Sequence, residues 1–207
     1  MFGAVFITLC LVAGTAALAE KNSANAVVEA LHASLLTMMK DADTLGFDGC
    51  RERMEPVVAQ SYNLPIIAVM AIGPNWKKFN ENRRQQLIYA LERLSVATYA
   101  TRFDGYSGES IRVLSEQPAP QGSVFVNSEL VKADGEAIVL KYSLHPSDAG
   151  WRIVDLVICS ELAMRRSEYA AIFQRDGFEG LLSALEQKIG RHHGSHQLAC
   201  GFGDAFR

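Results

Sequence analysis

Serine, cysteine and histidine are the residues of this chain from which nucleophilic chemistry could be built, and their surroundings argue against it. The segment GYSGE (105–109) resembles the turn that exposes a catalytic serine. It lacks the G-x-S-x-G spacing and follows a helical stretch, whereas that turn needs a strand before it. Cys50 sits in DGCRER, without the context of a cysteine protease. His32 and His145 have no acid or nucleophile at a spacing that identifies a partner. His32, beside Leu31 and close to Leu35, reads as an ordinary side chain at a core edge.

Two further groups carry chemical potential. His192, His193, His196 and Cys200 in the tail HHGSHQLAC are donors suited to Zn²⁺ or Cu²⁺. No packed shell around them is implied, so the segment reads as a flexible tail that picks up metal adventitiously, and no metal site is expected. Asp155 interrupts the apolar run WRIVDLVIC, where an unpaired charge costs several kcal/mol, on the order of a full desolvation penalty. It is expected to form a structural ion pair with Arg165 or Arg166 of the following helix, a docking clamp and not a catalytic pair.

The elements that must position these residues follow from composition and period. The 207 residues suit one domain with a small appendage, and 49% hydrophobic residues are enough for a core. A net charge of -3 and a pI near 6.0 argue against nucleic-acid binding through bulk positive charge. Residues 1–19 read as a signal peptide: an uncharged apolar run ends in Ala17-Leu18-Ala19, although its first residues carry no Lys or Arg. The mature chain is expected to start near Glu20 and, with no second long apolar run, to be soluble once exported. Cys50, Cys159 and Cys200 would remain, allowing one intramolecular disulfide at most; a Cys50–Cys159 bridge and a buried free Cys159 are both open.

Apolar residues at helical spacing predict helices over 23–42, 47–60 (with Pro56 a candidate break), 64–74 as a pair of buried turns, and 80–103 capped by Asn80. The period then changes to 2. Strands are predicted over 111–117, 123–133, 136–145 and 150–159, with Asp134-Gly135 closing a hairpin, so the sheet is an antiparallel meander. Two helices follow, 161–175 and 178–189, separated at Asp176-Gly177. The fold class is α+β: a domain over 20–190 with helices, a four-stranded sheet and helices again, and a disordered Gly/His-rich tail over 191–207. In the last strand, Trp151, Ile153, Val157 and Cys159 are assigned to one face and Val154, Leu156 and Ile158 to the other. One apolar sheet face covered by helices is either solid core or the wall of a pocket.

Four motifs occur in order: Tyr99-Ala100, Tyr106 to Glu109, Trp151 to Asp155, and Gly177 to Leu185 with Leu181 and Leu182. This pattern, spread over about residues 25–190, resembles the toluene-tolerance family, which includes the periplasmic phospholipid carrier of the Mla lipid-transport pathway. One segment departs from that carrier: SELAMRRSE (160–168) looks more like the hopanoid-biosynthesis-associated branch called HpnM. The resemblance implies a monomeric periplasmic shuttle for phospholipid or hopanoid-type lipid, without cofactor or covalent chemistry. It also implies exchange with an inner-membrane ABC-type lipid transporter complex and an outer-membrane acceptor. The expected lipid lining combines Val124, Val126, Leu140 and Tyr142 with Tyr99, Phe103 and Tyr106 near a mouth and Trp76 at a rim. Two rivals are a non-catalytic accessory protein of a membrane hopanoid or lipid assembly and, ranking last, a small exported hydrolase.

Overall fold

Three side-chain caps set where the N-terminal helices begin. Ser23 Oγ accepts the Ala26 N–H at 3.1 Å, opening α1 (Ala24–Ser61). Asn63 Oδ1 accepts the Ile66 N–H at 3.2 Å at the start of α2 (Leu64–Ile72). Asn80 Oδ1 accepts the Arg83 N–H at 2.9 Å at the start of α3 (Glu81–Arg102). Each satisfies an amide that the first helical turn leaves without a partner. A 3₁₀ turn over Gly73–Lys78 joins α2 to α3. The computed structural model describes residues 23–156 and 161–194, with side chains described for 23–156 and 166–192. The expected signal peptide, Cys159, Cys200, the Arg165 side chain and tail residues 195–207 lie outside these.

Two glycines shape the long helices. The helices expected over 23–42 and 47–60 form one element, α1, bent at Gly46 (φ 62°, ψ -176°). The two expected C-terminal helices are the arms of α4 (Glu161–Gly194), bent at Gly177 (φ 70°, ψ -164°). That conformation is closed to residues with a Cβ, which is why the bends fall at glycine. Helix α4 continues to Gly194, past the tail boundary expected at 190. Pro56, the candidate break, does not interrupt α1. It lies on the exposed side, where water can solvate the carbonyl left without its bond, while Met54 and Val58 anchor the helix in the core on either side.

The sheet has strand order β1-β2-β3-β4, with β1 over Ser110–Pro118, β2 over Val124–Val131, β3 over Ala137–Ser147 and β4 over Gly150–Leu156. All three pairings are antiparallel, as the short connections require. Register places Val126 opposite Tyr142, Ser128 opposite Leu140 and Leu130 opposite Ile138. One assignment of faces is corrected. Ser143 pairs with Asp155 but Leu144 pairs with Ile153, so Val154 is an extra residue and β4 carries a bulge there. The bulge reverses the alternation beyond it. Leu156 therefore lies opposite Tyr142 and packs with Ile153 into the helix-facing core, while Asp155 moves to the row of Ser143. Of the two partners expected for Asp155 on the next helix, Arg166 has its guanidinium over Gly73, and the Arg165 side chain lies outside the described residues.

Two apolar clusters result. The first sets α1 (Val28, Leu31, Leu35, Met38, Met54) against the sheet (Val126, Leu130, Leu140, Leu144, Ile153). The second joins α2, α3 and α4 through Leu87, Leu91, Tyr169, Phe178, Leu181 and Leu185, with Phe79 edge-on to Phe178 at 5.0 Å. The α1–α2 junction closes the β4 edge: Tyr62 bridges to Ile153, and the Asn63 N–H donates to the Ile153 carbonyl at 2.8 Å. Exposed strand edges invite pairing with other chains, and this contact covers one of them.

The bends are testable. No atom lies within 4 Å of a Cβ placed at Gly46 or Gly177, so any cost there comes from the backbone and not from a clash. Gly46→Ala and Gly177→Ala should each destabilise by about 1–3 kcal/mol. Gly190→Ala, with equally open space and an ordinary helical φ, should stabilise by about 0.5–1 kcal/mol. Urea unfolding midpoints of the three variants measure both signs; equal effects at all three positions would refute the backbone explanation.

Candidate functional site

The seam between α1 and the sheet brings together the polar groups least at home in an apolar layer. Helical spacing puts Val28, Leu31, Leu35 and Met38 on the inner face of α1, and it carries His32 inward with them. Strand alternation puts Leu140, Tyr142 and Leu144 inward from β3. The two faces meet where His32, 3% exposed, places Nε2 at 3.1 Å from the hydroxyl of Tyr142, 2% exposed. A second pair lies between helices, with the Tyr62 and Tyr99 hydroxyls 2.6 Å apart. Tyr99 in turn stacks on Phe103 with ring centroids 5.8 Å apart. Ser128, directly between the β1 and β3 neighbours of β2, is fully buried, and its Oγ has no hydrogen-bond partner among the described residues.

Burial sets the protonation of this seam. It lowers the His32 pKa to about 4, because the imidazolium would be cut off from water. Burial, followed by the nearby Tyr99, pushes Tyr142 well above the usual tyrosine value. The pair is therefore neutral at physiological pH: one imidazole and one phenol sharing a hydrogen bond, not an acid and base poised for proton transfer. Three α1 methionines, Met38, Met39 and Met54, fill the seam beside it. Unbranched and polarisable, they repack around irregular shapes at low cost. Cys50 is a free, buried thiol in the same cluster, its pKa raised chiefly by burial, so it is packed as a hydrophobe and is not primed as a nucleophile.

Of the eight residues expected to line a binding site, seven gather around this seam. Val126, Leu140, Tyr142 and Phe103 are buried in it, and Val124 and Tyr99 are half-buried against it. Tyr106 lies at the margin, 42% exposed, with Lys40 Nζ 5.2 Å from its ring centre. Trp76 belongs elsewhere: it packs with Phe79 in the second cluster and carries the Arg84 guanidinium 5.4 Å from its ring. The expected enclosure corresponds to the seam between α1 and the sheet, where these side chains pack together. Sequence reasoning placed His32 at a core edge without a partner, and passed over Tyr62 and Ser128. His32 had an available signal, since it lies one position from Leu31 on the face that Leu35 and Met38 continue.

A separate surface groove of about 380 Å³ runs between α1, α3 and α4. Its walls mix charges: Arg93 donates to Glu186 at 2.8 Å, and Glu92 has its pKa raised by burial and then by the Glu55 carboxylate. The apolar side chains of Phe47, Val96 and Ile189 line it beside these charges.

The His32 environment makes stability depend on pH. Its folded pKa lies below the unfolded value near 6.5, so its contribution is complete above that value and is lost as pH falls toward 4. The loss should reach about 3 kcal/mol at the low end. Urea unfolding of wild type and His32→Gln at pH 7, 5.5 and 4.5 tests this; if both fall equally, His32 is not the titrating group.

Comparison with known proteins places this geometry. The family model for the MlaC protein matches residues 29–187, a span that runs from α1 through both arms of α4. No curated protein sequence matches the chain. A solved structure of a phospholipid-binding protein from Ralstonia solanacearum, determined in complex with a phospholipid, is similar over 83% of this chain and 99% of its own. The two are 19% identical with a TM-score of 0.73, which establishes a common fold. The matched span takes in the sheet and all but the first turn of α1, and the chain belongs to the MlaC family.

Proposed function

We propose that this protein is a non-enzymatic lipid-binding shuttle of the periplasm, carrying phospholipid or hopanoid-type lipid between inner and outer membranes beside an ABC-type lipid transporter. The observation that carries the reading is the α1–sheet seam, in which an apolar layer holds hydrogen-bonding groups that it does not fully use. A lipid entering between α1 and the sheet would exchange side-chain contacts for acyl or polycyclic contacts. Ser128 Oγ and the His32–Tyr142 pair would face its polar atoms. Burying lipid hydrocarbon is worth about 25 cal/mol per Å² before association costs, enough to drive parting of a seam filled with methionine. The phospholipid named for the Ralstonia protein of the same fold supports a lipid cargo. The SELAMRRSE segment at the start of α4 supports the hopanoid alternative.

Among the described residues no helix is long and apolar enough to cross a membrane. Binding is thus tested on protein purified without detergent. Native mass spectrometry should show a lipid adduct, and mass spectrometry of the extract then separates phospholipid from hopanoid. Protein that is free of lipid in every preparation, and takes up none from vesicles, would count decisively against the shuttle.

Ser128 gives a sharper test. Ser128→Ala removes a buried hydroxyl that has no partner among the described residues, and should stabilise the lipid-free protein by about 1 kcal/mol. The same change should lower lipid retention. A variant that is more stable yet retains its adduct unchanged would show that Ser128 Oγ takes no part in holding lipid.

A further inference from the structure

Helix α2 reads LPIIAVMAI and contains no polar side chain. Only part of it is needed for the core: Leu64, Ala68, Ala71 and Ile72 are buried. Pro65 is exposed, Val69 is 41% exposed, Met70 is 37% exposed, and Ile66 and Ile67 are half-exposed. Pro65 with Val69 and Ile66 with Met70 are pairs four residues apart, so these side chains stack into one outward face. An apolar face without an interspersed polar residue marks an interaction surface.

Charge identifies what it meets. The 3₁₀ turn that follows α2 ends in Lys77 and Lys78, both exposed, beside the half-buried Trp76. Among the described residues neither lysine forms an ion pair. The exposed Arg166 lays its guanidinium over Gly73, at the carboxyl end of the same helix. Three cations thus rim the apolar face in a chain whose net charge is -3. Lysine is depleted at protein–protein interfaces. An apolar helix face flanked by Trp and Lys instead matches a bilayer surface: apolar side chains enter the headgroup boundary, the indole sits at headgroup level and the ammonium groups meet lipid phosphates. Nine residues rise only about 14 Å, half the thickness of a hydrocarbon core, so the helix can lie in the interface but not span it.

We propose that the outward face of α2, with Lys77, Lys78 and Arg166, is a docking surface for an anionic lipid bilayer. The inference stands on this exposed face alone; the proposed cargo seam lies in the other cluster, between α1 and the sheet.

Vesicle flotation tests it, using the full chain as purified and two vesicle types: phosphatidylglycerol mixed with phosphatidylcholine, and phosphatidylcholine alone. The protein should float with the anionic vesicles, far less with the neutral ones, and less as salt is raised. Val69→Ser combined with Met70→Ser, and separately Lys77→Glu combined with Lys78→Glu, should each weaken anionic binding by about tenfold or more. Val69 and Met70 are 41% and 37% exposed and Lys78 Nζ lies 5.8 Å from the Phe173 ring centre, so both double variants should lose some thermal stability but stay folded at the assay temperature, with the lipid adduct seen by native mass spectrometry unchanged. Two results overturn the proposal: no flotation with anionic vesicles, which would leave the face to a protein partner, or flotation that neither double substitution reduces. Wild-type protein that carries the adduct but does not float with anionic vesicles sinks this inference alone, and wild-type protein that floats without any adduct sinks the cargo reading alone.

Discussion

The contact on which the rest of the structure depends is the seating of one apolar sheet face on a single bent helix. A four-stranded meander has no partner sheet, so its inner face must be covered by helix or be exposed to water. Helix α1 provides the cover, with Val28, Leu31, Leu35 and Met38 on one arm and Cys50, Met54 and Val58 on the other. A straight helix crosses a twisted sheet over a limited length. The bend at Gly46 lets the second arm follow the sheet, and its end delivers Tyr62 and Asn63 to the open edge of β4. The same element thereby sets both the thickness of the seam and the closure of the edge.

The seam is not optimised for stability. A layer built only to hold the sheet would carry hydrocarbon at positions 32, 128 and 142, yet it carries an imidazole, a hydroxyl and a phenol. Holding His32 neutral at a buried site and leaving Ser128 Oγ without a partner both subtract from stability. Departures of this kind, where local choices conflict with packing, are expected at functional sites. The second cluster is built around an aromatic centre, where Phe79 meets Phe173 and Phe178 edge-on at 5.2 and 5.0 Å.

Much of the architecture was legible because it is local. The change of apolar period from 3.6 to 2 marks where helices give way to strands. Asp134-Gly135 closes the β2–β3 hairpin, with Gly135 at φ 90°. Asn80 caps α3 through a bond to the third residue beyond it. The breaks near 43–46 and at Gly177 were legible as gaps in helical pattern; that they are bends within continuous helices was not, since the flanking arms are oriented by what they pack on. Whether Pro56 breaks α1 was open for a related reason. Its intrinsic cost is real, but buried Met54 and Val58 outweigh it, and a propensity rule does not see that packing.

What the sequence by itself determined is the α+β order, the meander, the inward faces of β2 and β3, and a family pattern that the match over residues 29–187 upheld. What only the tertiary structure decided involves partners far apart in the chain. His32 and Tyr142 are 110 positions apart, and nothing local to either announces the other. The bulge at Val154 returned Leu156 to the core and turned Asp155 to the opposite row, because one extra residue inverts every side chain after it. Trp76 left the expected rim for the second cluster because the turn carrying it packs on Phe79 and α4. Periodicity states which side chains turn inward along one element; which of them then face each other depends on how the elements cross.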